Sequence, residues 1–175
     1  AEAAGPNRPM WPVPQLHDLG LYDQDPAVKA KKRAPTLAEV RAMTAMALAE
    51  GATGLVYYSW FDLKRDKLGF DARWKDTTTI AAEVKAVEPW LLSAEPAPNL
   101  GFKVSDPTSV DVKAWRKGDE ILVIAANGGS KAGTVSWNAP AGERRVLWGA
   151  ASAITDSAIE LAPGGSVAFC VATAK

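Results

Sequence analysis

The chain has 175 residues, one cysteine, one histidine, and 20 basic and 20 acidic side chains that cancel. That balance points away from nucleic acid or a membrane surface as partner, and no apolar run is long enough to cross a bilayer as a helix. A single cysteine excludes an intramolecular disulfide and leaves the compartment open.

In chain order, Met10-Trp11-Pro12-Val13-Pro14-Gln15-Leu16 reads as a first strand, and the cations Lys29, Lys31, Lys32 and Arg33 as a solvated loop. Pro35-Thr36-Leu37-Ala38-Glu39 opens a helix with a capping box, in which Thr36 accepts from the Glu39 amide and the Glu39 carboxylate reaches back. Leu37, Val40, Met43 or Thr44, Ala47 and Leu48 recur at helical spacing, and Gly51 stands where a left-handed cap is wanted. Gly54-Leu55-Val56-Tyr57-Tyr58-Ser59-Trp60 follows, apolar or aromatic almost throughout, as in a parallel strand covered on both faces. Strand, helix and strand make a right-handed βαβ unit. A polar stretch from Asp62 to Asp76 then leads to a second helix, capped by Asp76 or Thr77, with Ile80, Val84, Val87 and Leu91 on one face and Pro89 near its end. Strand-and-helix units of roughly 30 to 40 residues belong to a (β/α)8 barrel or a doubly wound sheet, and no glycine-rich turn follows either strand to suggest a dinucleotide site.

Ser93 to Asn99 reads as a linker, after which the period changes to two. Val110, Val112 and Ala114 alternate with Asp111 and Lys113, a turn spans Arg116 to Glu120, Ile121 to Ala125 follows, and Asn127-Gly128 is a hairpin signal. Val135 with Trp137, Val146 to Trp148, Ile159 with Leu161, and Ser166 to Val171 bring the total to about six short strands. The expected fold is therefore α/β plus all-β: residues 1–95 form the C-terminal portion of a (β/α)8 barrel, and 96–175 a small antiparallel β-sandwich. So small a sandwich gains stability by docking on the helices. Two parallel strands lack neighbours within the chain, so it is expected to be the C-terminal part of a larger protein.

The order Pro9 to Gln15, Thr36 to Met43 and Ala47 to Ser59, with the helix ending Glu88-Pro89-Trp90-Leu91-Leu92-Ser93 and the β domain after it, resembles the last two βα units of TIM-barrel glycoside hydrolases and the β-sandwich that often follows them. The resemblance implies action on a poly- or oligosaccharide, no cofactor, and a partner in the N-terminal barrel portion, on the same protein or a separate chain. Glycan-active proteins of this kind are often exported.

Barrel chemistry sits at the C-terminal strand ends, here Gln15, His17 and Asp18 after the first strand and Trp60 and Asp62 after the second. Such glycosidases use two carboxylates, which in the large retaining clan come from the fourth and seventh strands; if the first strand is the seventh, a complete pair cannot come from this chain alone. Gln15 stands where a nucleophilic Glu would be, and an amide cannot act as nucleophile or base. Asp18 is either its substitute or a turn former, and His17 either a sugar ligand or a packing residue. Trp60 offers a platform for a pyranose or a cap on the barrel core, and Asp62 either pairs with Arg65 at the surface or binds hydroxyls. Asp18, Asp23 and Asp25 lack the spacing and central glycine of a calcium loop, so no metal is assigned. Trp115, Trp137 and Trp148 read as core in preference to a sugar-binding face, and Cys170 as a buried small side chain. The competing readings are a barrel without its carboxylate that binds carbohydrate, and a structural subunit whose strand edges await a partner.

Overall fold

The computed structural model describes residues 9–138, 142–149 and 154–173. The two apolar segments do run parallel and side by side. Thr53 donates to the Met10 carbonyl at 2.9 Å, Val56 to Pro12 at 3.2 Å and Leu16 to Tyr58 at 3.2 Å, with a parallel bridge between Gln15 and Tyr58. They form no extended sheet, and no further parallel strand joins them among the described residues.

Coverage on both faces, expected for residues 54–60, is not what the structure has. Leu55 and Tyr57 are half-buried under the helices, whereas Val56 and Tyr58 are 42% and 54% exposed. Trp11 and Val13 stand out on the first segment at 63% and 56%. The Gln15–Tyr58 bridge and the two-residue pleat put Trp11, Val13 and Gln15 on the same side as Gly54, Val56 and Tyr58. Gly54 is needed there, because a Cβ would come within 2.8 Å of the Trp11 ring. The reason for the one-sided burial is plain: helices lie on one face, and nothing described lies on the other.

A short helix α1 (Pro26–Lys29) precedes α2 (Leu37–Ala49). Both halves of the capping box form, with Glu39 N donating to Thr36 Oγ1 at 3.3 Å and Thr36 N to Glu39 Oε2 at 2.7 Å. At the other end Gly51, at φ 91°, donates to Leu48 O while Ala52 donates to Ala47 O, closing the helix in a Schellman motif. Of the basic cluster, Lys32 pairs with Asp23 at 2.6 Å and Arg33 forks onto both oxygens of Glu39.

A one-turn helix α3 (Trp60–Leu63) leads to α4 (Phe70–Leu91), which starts at Gly69, seven residues before the cap expected at Asp76 or Thr77. The polar appearance of residues 62–76 misleads because Arg73 faces inward: it is buried, pairs with Asp66 at 3.0 Å and donates to the Pro35 carbonyl at 2.8 Å. Thr77 and Thr79 donate instead to the carbonyls of Arg73 and Lys75 one turn back, which lets hydroxyls sit inside a helix. Pro89 lies in the last turn, where only the bond to Lys85 O is lost. Arg41 forks onto Glu83 at 2.6 and 2.7 Å and ties α2 to α4.

Among the described residues the second half is a two-sheet sandwich of seven antiparallel strands: β1 (Lys103–Val104), β2 (Val110–Lys117), β3 (Glu120–Asn127), β4 (Gly133–Ser136), β5 (Arg144–Trp148), β6 (Ala158–Leu161) and β7 (Ser166–Ala172). One sheet runs β1-β4-β6, the other β2-β3-β7-β5. β2 and β3 meet at Lys117 and Glu120 across a two-residue turn whose Gly118 has φ 57°. Asn127-Gly128 makes no hairpin, since β3 and β4 belong to different sheets. The Asn127 amide is buried and donates to the carbonyls of Lys131 and Leu161, pinning the crossover.

The larger sheet is the middle of three layers. Ile121, Val123 and Ala125 of β3 face the smaller sheet with Val167, Phe169 and Trp137, while Leu122, Ile124 and Ala126 face Ala45, Leu48, Val87 and Trp90 of α2 and α4. Trp148 and Cys170 join the helix side, and Trp115 lies there too, on the opposite parity from Val112 and Ala114. All three tryptophans of this half therefore pack into apolar clusters. The sandwich docks on the helices through a shared core.

Candidate functional site

The C-terminal ends of the two parallel segments come together, and with them most of the residues singled out above. Leu16 is drawn under α2 and α4 with Val40, Leu63 and Ile80, so the chain turns at His17 with its backbone anchored. His17 is buried, and its Nδ1 lies 3.0 Å from the Tyr58 carbonyl. A carbonyl only accepts, so Nδ1 carries a proton and donates it to Tyr58 O. Tyr22 and Tyr58 pack edge-on against the imidazole at 5.5 and 5.6 Å. Gln15 donates through Nε2 to the His17 carbonyl at 2.7 Å.

Asp62 is not a surface ion pair. It is 4% exposed, and its Oδ2 accepts from Ser59 Oγ and Tyr22 OH, both at 2.6 Å, with Arg65 farther off at 3.4 Å. The hydroxyls of Ser59 and Tyr22 hold the carboxyl below its ordinary range, against the cost of burial, with the His17 ring and Arg65 adding in the same sense. The same bond keeps the proton on Tyr22, whose pKa is pushed up to about 12, chiefly by donation to Asp62. Asp62 thus clamps the loop after the first segment to the loop after the second.

Asp18 is a turn former: its buried Oδ1 accepts from Gly20 N at 2.7 Å and caps the 3-10 turn Leu19–Tyr22. Asp25 caps α1, and Asp23 pairs with Lys32, so the three carboxylates do not converge. Among the described residues no cluster of His, Cys, Asp or Glu is arranged to hold a metal ion. Trp60 opens α3 with its ring half-exposed, edge-on to Phe61 and Phe70, and with Lys64 Nζ 3.9 Å from its centroid.

Gln15, His17 and Asp62 are therefore gathered, Trp60 stands beside them, and Asp18 is turned to a local task. Sequence reading missed Tyr22, Tyr58 and Ser59. Ser59-Trp60-Phe61-Asp62 spells a capping box, which was a usable signal, although here the hydroxyl donates to the carboxylate in place of accepting from the backbone. Nothing in the linear pattern marked Tyr22, 40 residues away from Asp62. Chemically the cluster offers aromatic faces, an imidazole and hydroxyls. Its one central carboxylate has an oxygen already holding two donors and is poorly placed to attack or to deliver a proton.

No family model matches the chain, and no curated protein matches it. Among solved structures, two that it resembles in fold are these. A proposed α-galactosidase from Bacteroides fragilis NCTC 9343 superposes with a TM-score of 0.51 at 12% identity over 85% of this chain and 31% of the other. A GH27 β-L-arabinopyranosidase from Geobacillus stearothermophilus gives 0.50 at 16% identity over 93% of this chain and 36% of the other. The chain spans about a third of the length of the solved chains it matches. The resemblance to glycoside hydrolases read from the sequence holds at the level of fold, while a barrel is not formed among the described residues.

Proposed function

We propose that this chain supplies two strand-and-helix units and the β domain of a glycosidase-like barrel acting on an oligo- or polysaccharide, the other strands coming from the rest of the protein or from a partner chain. One observation carries this reading: the parallel pair is unfinished on three sides. Its free face is apolar, through Trp11, Val13, Val56 and Tyr58. Backbone groups of Met10, Pro12, Leu16, Thr53, Val56 and Tyr58 bond across the pair, whereas those of Trp11, Val13, Leu55 and Tyr57 have no backbone partner among the described residues. Pro12 and Pro14 also follow the pairing side. Edges meant for solvent are blunted by proline or charge, and here the prolines leave the outer edge of Trp11 and Val13 with its donors intact.

A second reading has its own support. Gln15 is an amide, Asp18 caps a turn and Asp62 is held by two hydroxyls, so the strand ends of this chain bring binding groups and no free carboxylate. In that reading the assembled protein binds carbohydrate without turnover, or takes both carboxylates from the strands supplied elsewhere.

The test is hydrogen exchange at the Trp11, Val13, Leu55 and Tyr57 amides, measured before and after mixing with the N-terminal portion, alongside glycosidase assays on the mixture. Strong protection of all four on mixing is the expected result, and turnover of a glycoside then separates the catalytic from the binding reading. Unchanged exchange in a mixture that forms no complex would overturn the barrel proposal.

A further inference from the structure

Beside the strand ends, the surface from Trp60 to Lys75 carries an aromatic ridge with a segregated charge. Phe61 is 74% exposed, and Trp60 and Trp74 are each nearly half-exposed. Phe70 links them, edge-on to Trp60 at 5.8 Å and stacked on Trp74 at 5.8 Å with 10° between the ring planes. The chain as a whole is neutral. On this stretch, however, the exposed charges that remain are Lys64, Lys67 and Lys75 against Asp71, because Arg65 is paired with buried Asp62 and Asp66 is turned inward onto Arg73.

We infer that this ridge binds an acidic oligosaccharide, one carrying uronate carboxylates, and so extends the strand-end site toward an anionic glycan. The inference rests on the carbohydrate reading above and adds the charge class of the ligand. Aromatic faces stack on the C–H faces of pyranose rings, which gives contact without regard to charge. Charge selection comes from the ammonium groups. Lys64 sits over the Trp60 ring, so a neutral sugar stacking there displaces the ammonium without giving it a new partner, whereas a uronate offers it a carboxylate at the rim of the platform. Covering the ridge with an apolar protein surface would strand several exposed cations without partners, which is costly.

The experiment titrates a galacturonate hexamer, and a neutral galactose oligomer of equal length, into the protein at low salt, followed by tryptophan fluorescence and calorimetry. Expected are binding of the uronate at least roughly tenfold tighter than the neutral oligomer, weakening with added salt, and a loss of roughly three- to fivefold for each of Lys64→Gln and Lys67→Gln. Trp74→Ala should weaken both oligomers alike. Arg65 is left intact because it contacts buried Asp62. Equal affinity for the two oligomers would overturn the acidic assignment and leave the carbohydrate reading standing. Binding of vesicles containing anionic lipid without binding of either oligomer, or no binding at all, would overturn the inference altogether. Barrel completion is read independently, by exchange at the strand edges.

Discussion

Replacing Asp62 with asparagine isolates the clamp between the two strand-end loops. In the native chain one oxygen accepts two hydroxyl donors at 2.6 Å inside a buried site. Asparagine keeps the shape but removes the charge, so both bonds fall from charge-assisted to neutral strength. A bond to a charged group contributes about 1.5–3 kcal/mol and a neutral one about 1 kcal/mol, so losing the assistance at two bonds costs roughly 1–4 kcal/mol, measured by urea denaturation at pH 7. Tyr22 gives the sharper readout. Its proton is held by the Asp62 carboxylate to about 12. An ultraviolet titration of the variant should return one of the three tyrosines of the chain toward the ordinary value of about 10. Because the folded value is raised, this contribution to stability is full below about pH 10 and lost as pH rises through about 12. A wild-type Tyr22 that titrates near 10, or an Asp62→Asn protein as stable as its parent, would refute the clamp.

Leu122→Ala at the centre of the helix–sheet core should cost about 2–5 kcal/mol in denaturant, because Leu122 is fully buried among α2, α4 and β7; a loss below about 1 kcal/mol would mean that the sandwich does not dock as described. Glu39, held down to about 2 mainly by Arg33 and then by the Thr36 amide, stabilises the fold above its unfolded value of about 4.5. That contribution is lost as pH falls through about 2, so Glu39→Gln should flatten the acid limb of the stability profile between these values, as followed by circular dichroism. Gly51→Ala places a side chain at φ 91° and should lower stability by roughly 1–2 kcal/mol, while Ala52→Gly, one residue on, should cost less.

The legible parts of the fold are those written in local chemistry. Thr36, Glu39 and Gly51 announce both ends of α2 because capping is a matter of adjacent backbone groups. The alternation of Val110, Val112 and Ala114 against Asp111 and Lys113 marks β2 because one of its faces is more polar. The start of α4 was hidden because Arg73 and Asp66 satisfy each other inside the protein, and a buried ion pair reads in sequence like a solvated loop. Ile121 to Ala126 is the run that is buried on both faces, and it lies in an antiparallel sheet because helices cover one side and a second sheet the other. Residues 54–60 are also apolar or aromatic almost throughout, yet only one of their faces is covered. At the strand ends, His17 and Asp62 were legible from their place after apolar segments, whereas Tyr22 reaches Asp62 only through the folded loop.

That contrast between two apolar runs leads back to the unfinished parallel pair. The most direct measurement is the native and denaturing mass of the protein purified from its own source. A slice of a larger barrel predicts that this sequence is recovered with further strand-and-helix units, on a longer polypeptide or on a tightly held second one. A lone, cooperatively unfolding monomer of 18.5 kDa would contradict it, because the edges of Trp11, Val13, Leu55 and Tyr57 would then stand unpaired in the native state.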